Sequence, residues 1–402
     1  VQSIEVSLFW IVLCALIAPI LAGLVPRRLV PEVVLMLVAG VIIGPYGLHL
    51  ADVGSEIALL QELGLGMLFL LAGYEVDTDE LNGPGGRRAL ATWLVCLALA
   101  FGLVGALGAA GLVDAEVAIA IALVSTALGT LLPILRDAGL IGTTLGRAVL
   151  NHGAVGELAP VIAMAVLLGA RGTFGSMVAL ALFLVAAALI GRLPRHLAAI
   201  TWFADIVRRG AQTTSQTTVR GTMLLLVTLL VMASAFDLDV ILGAFAAGFI
   251  LRRLVPTGDD VLESKLDGLA FGFLIPIFFI TAGMGVDVGA VAEAPWVPLV
   301  FFVMIVLVRG GPVLWATRLD RTSPERAGGR TFTGSEQCQV ALYSATGLPL
   351  IVAVTGVAVD AGQMSHANAS MLIAAGALTV LALPLSAALL RSRTDTSSGR
   401  AR

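Results

Sequence analysis

The sequence predicts an all-α polytopic membrane protein of about thirteen transmembrane helices, built as an inverted-topology repeat with two discontinuous helices. Three observations carry this. Of the 402 residues, 58% are hydrophobic and 13% charged, whereas a soluble domain carries about 25% charged residues. Apolar runs near the ~20 residues that a helix needs to cross a bilayer recur from end to end. Two short motifs return seven runs later, in the opposite orientation.

The runs lie at 7–25, 30–46, 56–74, 86–110, 115–136, 144–168, 173–194, 220–236, 238–254, 267–287, 294–317, 334–359 and 367–391. Within them apolar residues are continuous rather than alternating, which argues against a β-barrel. The 45 glycines concentrate in these runs, as close helix packing in lipid favours. Cys14, Cys96 and Cys338 all fall inside runs, and no CxxC or Cys/His spacing occurs. No disulfide framework, resident metal or cofactor is therefore expected. The first run can serve as the targeting signal.

Charge orders the segments between the runs. Arg27, Arg28, Arg87, Arg88, Arg136, Arg147, the stretch Arg192 to Arg220, Arg252, Arg253, Lys265, the stretch Arg318 to Arg330 and the tail from Arg391 fall on alternate sides of successive runs. Of all the basic residues only Arg171 and Arg309 stand outside that set. The basic side is cytoplasmic by the positive-inside rule. A multi-pass protein of the cell membrane follows, with its N-terminus outside and its C-terminus inside. The 195–219 loop and the polar tail 392–402 are too short for a folded regulatory domain, and the tail reads as disordered. No GxxxxGK[ST] phosphate cradle occurs, so ATP is not expected to drive the activity.

LLAGYEVD at 70–77 resembles ITAGMGVD at 280–287, and VAGVI at 38–42 resembles AAGFI at 246–250. Each pair is seven runs apart, and an odd separation inverts the second copy. Inverted repeats are the common plan of secondary transporters, with the site at the midplane between the copies. Chance recurrence of Ala-Gly strings is the bland alternative.

Arg309 sits halfway along an apolar run, where a charge costs at least about 2.5–3.5 kcal/mol and marks an ion or proton pathway. Glu157 is the other deeply placed charge. It can hold a proton or a cation but not both comfortably, which is the simplest physical basis for exchange; the bland alternative is a carboxylate that only bonds a neighbouring helix. Pro160 removes the helical bond to the Gly156 carbonyl, which leaves that oxygen as a possible ion ligand or merely kinks the helix. His152 lies about 140° around and roughly 7.5 Å along an ideal helix from Glu157, and Asn151 about 120° away. Both read as pathway-lining or packing residues rather than direct partners. STALGTLLP at 125–133 and SATGLP at 344–349 interrupt two runs seven apart. Locally unwound helices there would offer carbonyls and half-helix ends to an ion. Thr126 and Thr346 are candidate ligands, with Ser125 and Ser344 beside them, unless the hydroxyls bond back to their own helices. Glu32, Glu75, Glu336 and Lys265 lie near run ends and read as interfacial anchors or inter-helix pairs.

PEVVLMLVAGVIIGP (31–45), FLLAGYE (69–75), GAFAAG (243–248) and PIFF (276–279) occur in this order. With them the chain resembles the monovalent cation/proton antiporter superfamily, in the branch of bacterial sodium/proton and potassium-efflux antiporters. The resemblance implies that the two interrupted helices cross. It implies scaffold and dimerisation helices 1–3 in 1–85 and core helices 4–6 in 86–170. Linker helix 7 and a cytoplasmic loop would follow in 171–219, scaffold helices 8–10 in 220–290, core helices 11–13 in 291–391 and the tail in 392–402. It implies a homodimer. The family carries Asp-Asp or Asn-Asp in its sixth span, which aligns with Gly156-Glu157, and a basic residue, usually Lys, that aligns with Arg309. One carboxylate is therefore missing here. Arg309 effectively never deprotonates, so the expectation is electroneutral exchange of one Na+ or K+ for one proton on Glu157. Arg309 would be a fixed positive charge and a partner for the empty carboxylate.

The partners expected are membrane lipid and small monovalent ions, with no nucleic acid. A proton- or sodium-coupled symporter or organic-anion carrier, with Arg309 binding a carboxylate, is the main alternative. A channel-like leak and a non-transporting sensor are weaker ones. No nucleophile–base constellation points to an enzyme.

Overall fold

The structure, a computed structural model, describes residues 2–24, 30–76, 81, 83–111, 113–168, 172–198, 216–255, 260–319 and 332–399. Arg27, Arg28, Arg171, residues 199–215 of the long loop, and Arg321, Arg326 and Arg330 lie outside them. Every apolar run contains helix. In order these are α1 (Ile4–Leu24), α2 (Glu32–Ile43), α3 (Ser55–Glu75), α4 (Pro84–Ala109), α5 (Glu116–Leu123) and α6 (Leu128–Asp137). Next come α7 (Thr144–Leu167), α8 (Gly172–Ala198), α9 (Thr217–Ala235), α10 (Val240–Leu254), α11 (Asp260–Leu269) and α12 (Ile275–Met284). The chain closes with α13 (Val288–Glu293), α14 (Trp296–Ile305), α15 (Gly311–Leu319), α16 (Gly334–Ser344), α17 (Leu348–Asp360) and α18 (His366–Gly399).

Among the described residues, 10 helical stretches are long and apolar enough to cross a membrane. Three of the expected spans are shorter as helices. Glu32–Ile43 stops at Gly44 and Pro45, Glu116–Leu132 is interrupted, and α10 has 15 residues. Two spans instead pass through a π-helical turn, Ala270–Leu274 before α12 and Val306–Gly310 between α14 and α15. At the C-terminus α18 continues to Gly399, through most of the stretch that the sequence suggested was a disordered tail. No proline or glycine interrupts it between Arg391 and Gly399.

Two compact units emerge. The first comprises Val1–Ala15, Leu50–Val76 and Val161–Thr281. Its centre is the pairing of α3 with α10, in which Gly248 packs on the Leu70 carbonyl and Gly73 on that of Phe245. Tyr74 at the end of α3 donates to Glu263 Oε1 at 2.8 Å, and the Arg252 guanidinium lies 5.4 Å from the centre of its ring.

The second unit comprises Leu16–His49, Asp77–Pro160 and Ala282–Arg402. Leu131, Leu135, Val149, Val313, Val340 and Tyr343 form a buried cluster joining α6, α7, α15 and α16. Glu336 is a helix cap: its Oε2 accepts from Thr333 N at 2.8 Å while Thr333 Oγ1 accepts from Glu336 N at 3.3 Å. That reciprocal pair settles two orphan amides at the start of α16. Also in this unit, Gly283 of α12 packs on the Leu37 carbonyl of α2.

The repeat reads through these contacts. In the paired motifs Gly73 corresponds to Gly283, and Phe245 to Leu37. The same glycine-on-carbonyl contact is therefore made once in each unit, by equivalent residues. A side chain there would land on backbone, which cannot yield. Gly73→Ala and Gly283→Ala are each expected to lose about 1–3 kcal/mol through overpacking. By contrast, Gly102→Ala, with no atom within 4 Å of an added Cβ, should gain about 0.5–1 kcal/mol of helix stability. Thermal melts of the purified variants in detergent check both signs.

Candidate functional site

The site forms where two helices break. α5 ends at Leu123 and α6 resumes at Leu128; α16 ends at Ser344 and α17 resumes at Leu348. The first break lies upstream of Pro133, so the proline expected to unwind this span sits instead inside α6. The two breaks are stitched together. Ala127 N donates to Thr346 O at 2.8 Å, and Thr126 Oγ1 donates to Ser344 O at 2.6 Å. α7 joins them, because Thr126 N donates to Gly156 O at 2.8 Å. Gly156 has a carbonyl to offer because Pro160 supplies no helical N–H to it. The oxygen that the sequence marked as a possible ion ligand is thus engaged by the Thr126 amide.

Arg309 enters from the π-helical turn Val306–Gly310, a distortion frequent at functional sites, and is 0% exposed. Its Nε donates to Thr126 Oγ1 at 3.0 Å and Ser344 O at 3.3 Å. Nη2 donates to His152 O at 2.7 Å, and Nη1 to Cys96 Sγ at 3.8 Å. The thiol in turn donates to the Arg309 carbonyl at 3.8 Å. The guanidinium therefore hydrogen-bonds a hydroxyl, two carbonyls and a thiol. Ser344 is the last residue of α16, so the cation meets a carbonyl at the negative end of a helix dipole.

Glu157 is 4% exposed and meets the opposite kind of helix end. Its Oε2 accepts from Leu128 N at 3.2 Å. Leu128 begins α6, where backbone amides lack intrahelical partners and the dipole favours an anion. Arg309 and Glu157 thus each answer a half-helix terminus of opposite sign beside the paired breaks.

The other sequence candidates divide. Thr346 Oγ1 donates to Tyr343 O at 2.7 Å and Ser125 Oγ to Ala122 O at 2.7 Å, each back to its own helix. Thr126 is committed to Ser344 and Arg309. Ser344 Oγ and His152 Nδ1 are buried and have no hydrogen-bond partner among the described residues. Both belong to residues whose carbonyls hold the guanidinium. Asn151 is half-buried, and an added Cβ on Gly85 would meet its amide at 2.6 Å; that contact places it at the start of α4. Cys96 is the contact the sequence did not single out. A lone cysteine in an apolar run carries no signal, since free Cys normally behaves as a small buried hydrophobe.

Gly156 explains why one side chain is absent. A Cβ there would collide with Arg309 Nη2 and lie 2.5 Å from Thr126 Oγ1 and 2.8 Å from Thr126 Cβ. The guanidinium fills the space in which a side chain at position 156 would begin.

Comparison with known proteins bears on this arrangement. The family described as "Sodium/hydrogen exchanger, transmembrane" matches residues 12–391. YjbQ of Bacillus subtilis is 27% identical over 305 residues, which cover 70% of this chain and 47% of that protein. The chain thus spans less than half the length of that relative. The Na(+)/H(+)-K(+) antiporter GerN of Bacillus cereus is 25% identical over 312 residues, 76% of this chain and 78% of that one. The solved structure of the sodium proton antiporter MjNhaP1 from Methanocaldococcus jannaschii superposes with a TM-score of 0.59 at 14% identity, covering 96% of this chain and 97% of that chain. At that identity the likeness shows a shared fold.

Shared occupancy of one volume predicts coupling between Gly156 and Arg309. In a double-mutant cycle of Gly156→Ala and Arg309→Lys, read by thermal melts in detergent, the slimmer ammonium should recover part of the cost of the added methyl. The expected coupling is about 0.5–3 kcal/mol. Additive effects would show that the two residues do not compete for the space.

Proposed function

The chain belongs to the sodium/hydrogen exchanger family, a family of transporters, and on that premise we propose that it exchanges one monovalent cation, Na+ or K+, for one proton by alternating access. Glu157 is the shared site. The observation that carries this reading is a buried carboxylate at the N-terminus of the broken-helix segment α6. Either a proton or a cation can neutralise it, and each displaces the other. The backbone amide of Leu128 helps to keep the anion available. Arg309 is a permanent charge held by backbone and hydroxyl groups, and it carries no proton through the cycle.

Electroneutral exchange follows from the charge inventory of the site. One carboxylate alternates between two monovalent ligands, and Arg309 leaves no room for a second acid at position 156. The alternative of an organic-anion carrier needs Arg309 to receive a substrate carboxylate. The engagement of Nε, Nη1 and Nη2 by protein atoms supports the cation reading instead. The names of the relatives, which include a Na(+)/H(+)-K(+) antiporter, agree in chemical class. The reading includes a multi-pass arrangement in the cell membrane, N-terminus outside and C-terminus cytoplasmic, and a dimer of identical chains.

In proteoliposomes, cation-dependent dissipation of a pH gradient is expected for the wild type and lost in Glu157→Gln. Normal exchange by that variant would overturn the assignment. The sign of the pH effect follows from competition. Acid protonates Glu157 and removes the cation's ligand, so the apparent KM for the cation should rise about tenfold per pH unit on the acid side, the limit for one competing proton.

A further inference from the structure

In the first unit, α8 and α10 face each other across a crevice of about 220 Å³. Leu184, Ala188 and Arg192 line it from α8, and Ala246, Phe249 and Arg253 from α10. The spacing places each set along one helix face. Small residues on both walls hold the slot open, and Leu184 is 50% exposed at its side. From Leu184 to Arg192 the helical rise is about 12 Å. Both arginines stand at the same end of the slot. Arg192 closes the apolar span Thr173–Arg192, and Arg253 lies in the last turn of α10. The Arg253 guanidinium stacks 4.7 Å from the centre of the Phe249 ring, which fixes it at the mouth. Both side chains are exposed.

An apolar slot ending in two guanidinium groups at the edge of an apolar span matches an amphiphile with a phosphate at the boundary and a hydrocarbon chain below it. Guanidinium groups fork onto phosphate oxygens and are weakly hydrated, so they suit a site half in water. We propose that this crevice binds one anionic phospholipid, with its phosphate between Arg192 and Arg253 and one acyl chain lying along Leu184, Ala188 and Ala246. Zwitterionic lipids present the same phosphate with a compensating cation and would compete poorly. The crevice shares no residue with the two helix breaks and does not depend on what the protein transports.

The test uses the whole purified protein in detergent, with thermal melts after addition of phosphatidylglycerol, phosphatidylcholine or inorganic phosphate. Phosphatidylglycerol should raise the wild-type Tm by about 2–4 °C, and the other two should not. The double variant Arg192→Gln/Arg253→Gln should keep its melting temperature in phosphatidylcholine and lose the increment from phosphatidylglycerol. Ala188→Phe, which fills the slot without touching charge, should also lose the increment. Equal shifts from both lipids, a shift from inorganic phosphate alone, retention of the increment by the double arginine variant, or its retention by Ala188→Phe would each overturn the proposal.

Discussion

Two broken helices meet at their breaks and leave four helix ends in a buried place. Everything else at the candidate site answers that constraint. Exposed backbone groups in lipid cost several kcal/mol each, so a break is favoured where its ends find partners. Backbone bonds between Ala127 and Thr346 and between Thr126 and Gly156 satisfy part of the demand. Charged side chains meet two of the four ends. Glu157 meets the amide that opens α6, and Arg309 meets the carbonyl that closes α16. The charges that looked costly in the sequence are the complements of fixed backbone dipoles.

This arrangement divides the labour between two residues of opposite sign. Arg309 is pinned by Thr126, Ser344, His152 and Cys96, so its charge is part of the scaffold that joins the breaks. On the proposed reading, Glu157 is the group whose charge a small ligand cancels without removing that scaffold. Gly156 belongs to the same solution. With a guanidinium lying where a side chain at 156 would begin, an acidic neighbour for Glu157 is excluded by volume as well as by sequence. Gly156 and Arg309 are thus sterically matched: the guanidinium occupies the space that a side chain at 156 would enter.

Much of this was legible in the chain. Long apolar runs report helices because only a closed hydrogen-bond pattern survives in lipid, and all of the runs contain helix. The breaks were visible as polar, glycine- and proline-bearing interruptions in STALGTLLP and SATGLP, since such residues are otherwise disfavoured inside a span. The correspondence of Gly73 with Gly283 was visible as a motif, and its meaning as a repeated backbone contact came with the structure. What the sequence could not show was who bonds whom. The break falls before Leu128 rather than at Pro133, Thr346 bonds back to its own helix while Thr126 does not, and Cys96 reaches Arg309. These outcomes depend on the rotation and depth of packed helices, which periodicity in an all-apolar helix does not encode. Glu336, read from the sequence as an interfacial anchor or an inter-helix pair, also closes a capping box at the start of α16, a role that depends on a helix boundary the sequence leaves uncertain by a few residues.

The central claim is that a single carboxylate is the exchangeable charge of the site. It is tested most directly by counting protons released when the purified protein in lightly buffered detergent, adjusted to a pH at which the empty site is protonated, is saturated with Na+ or K+. The account predicts one proton per chain, and none from Glu157→Gln. Release of two protons per chain, or of one from the Glu157→Gln protein, would contradict it.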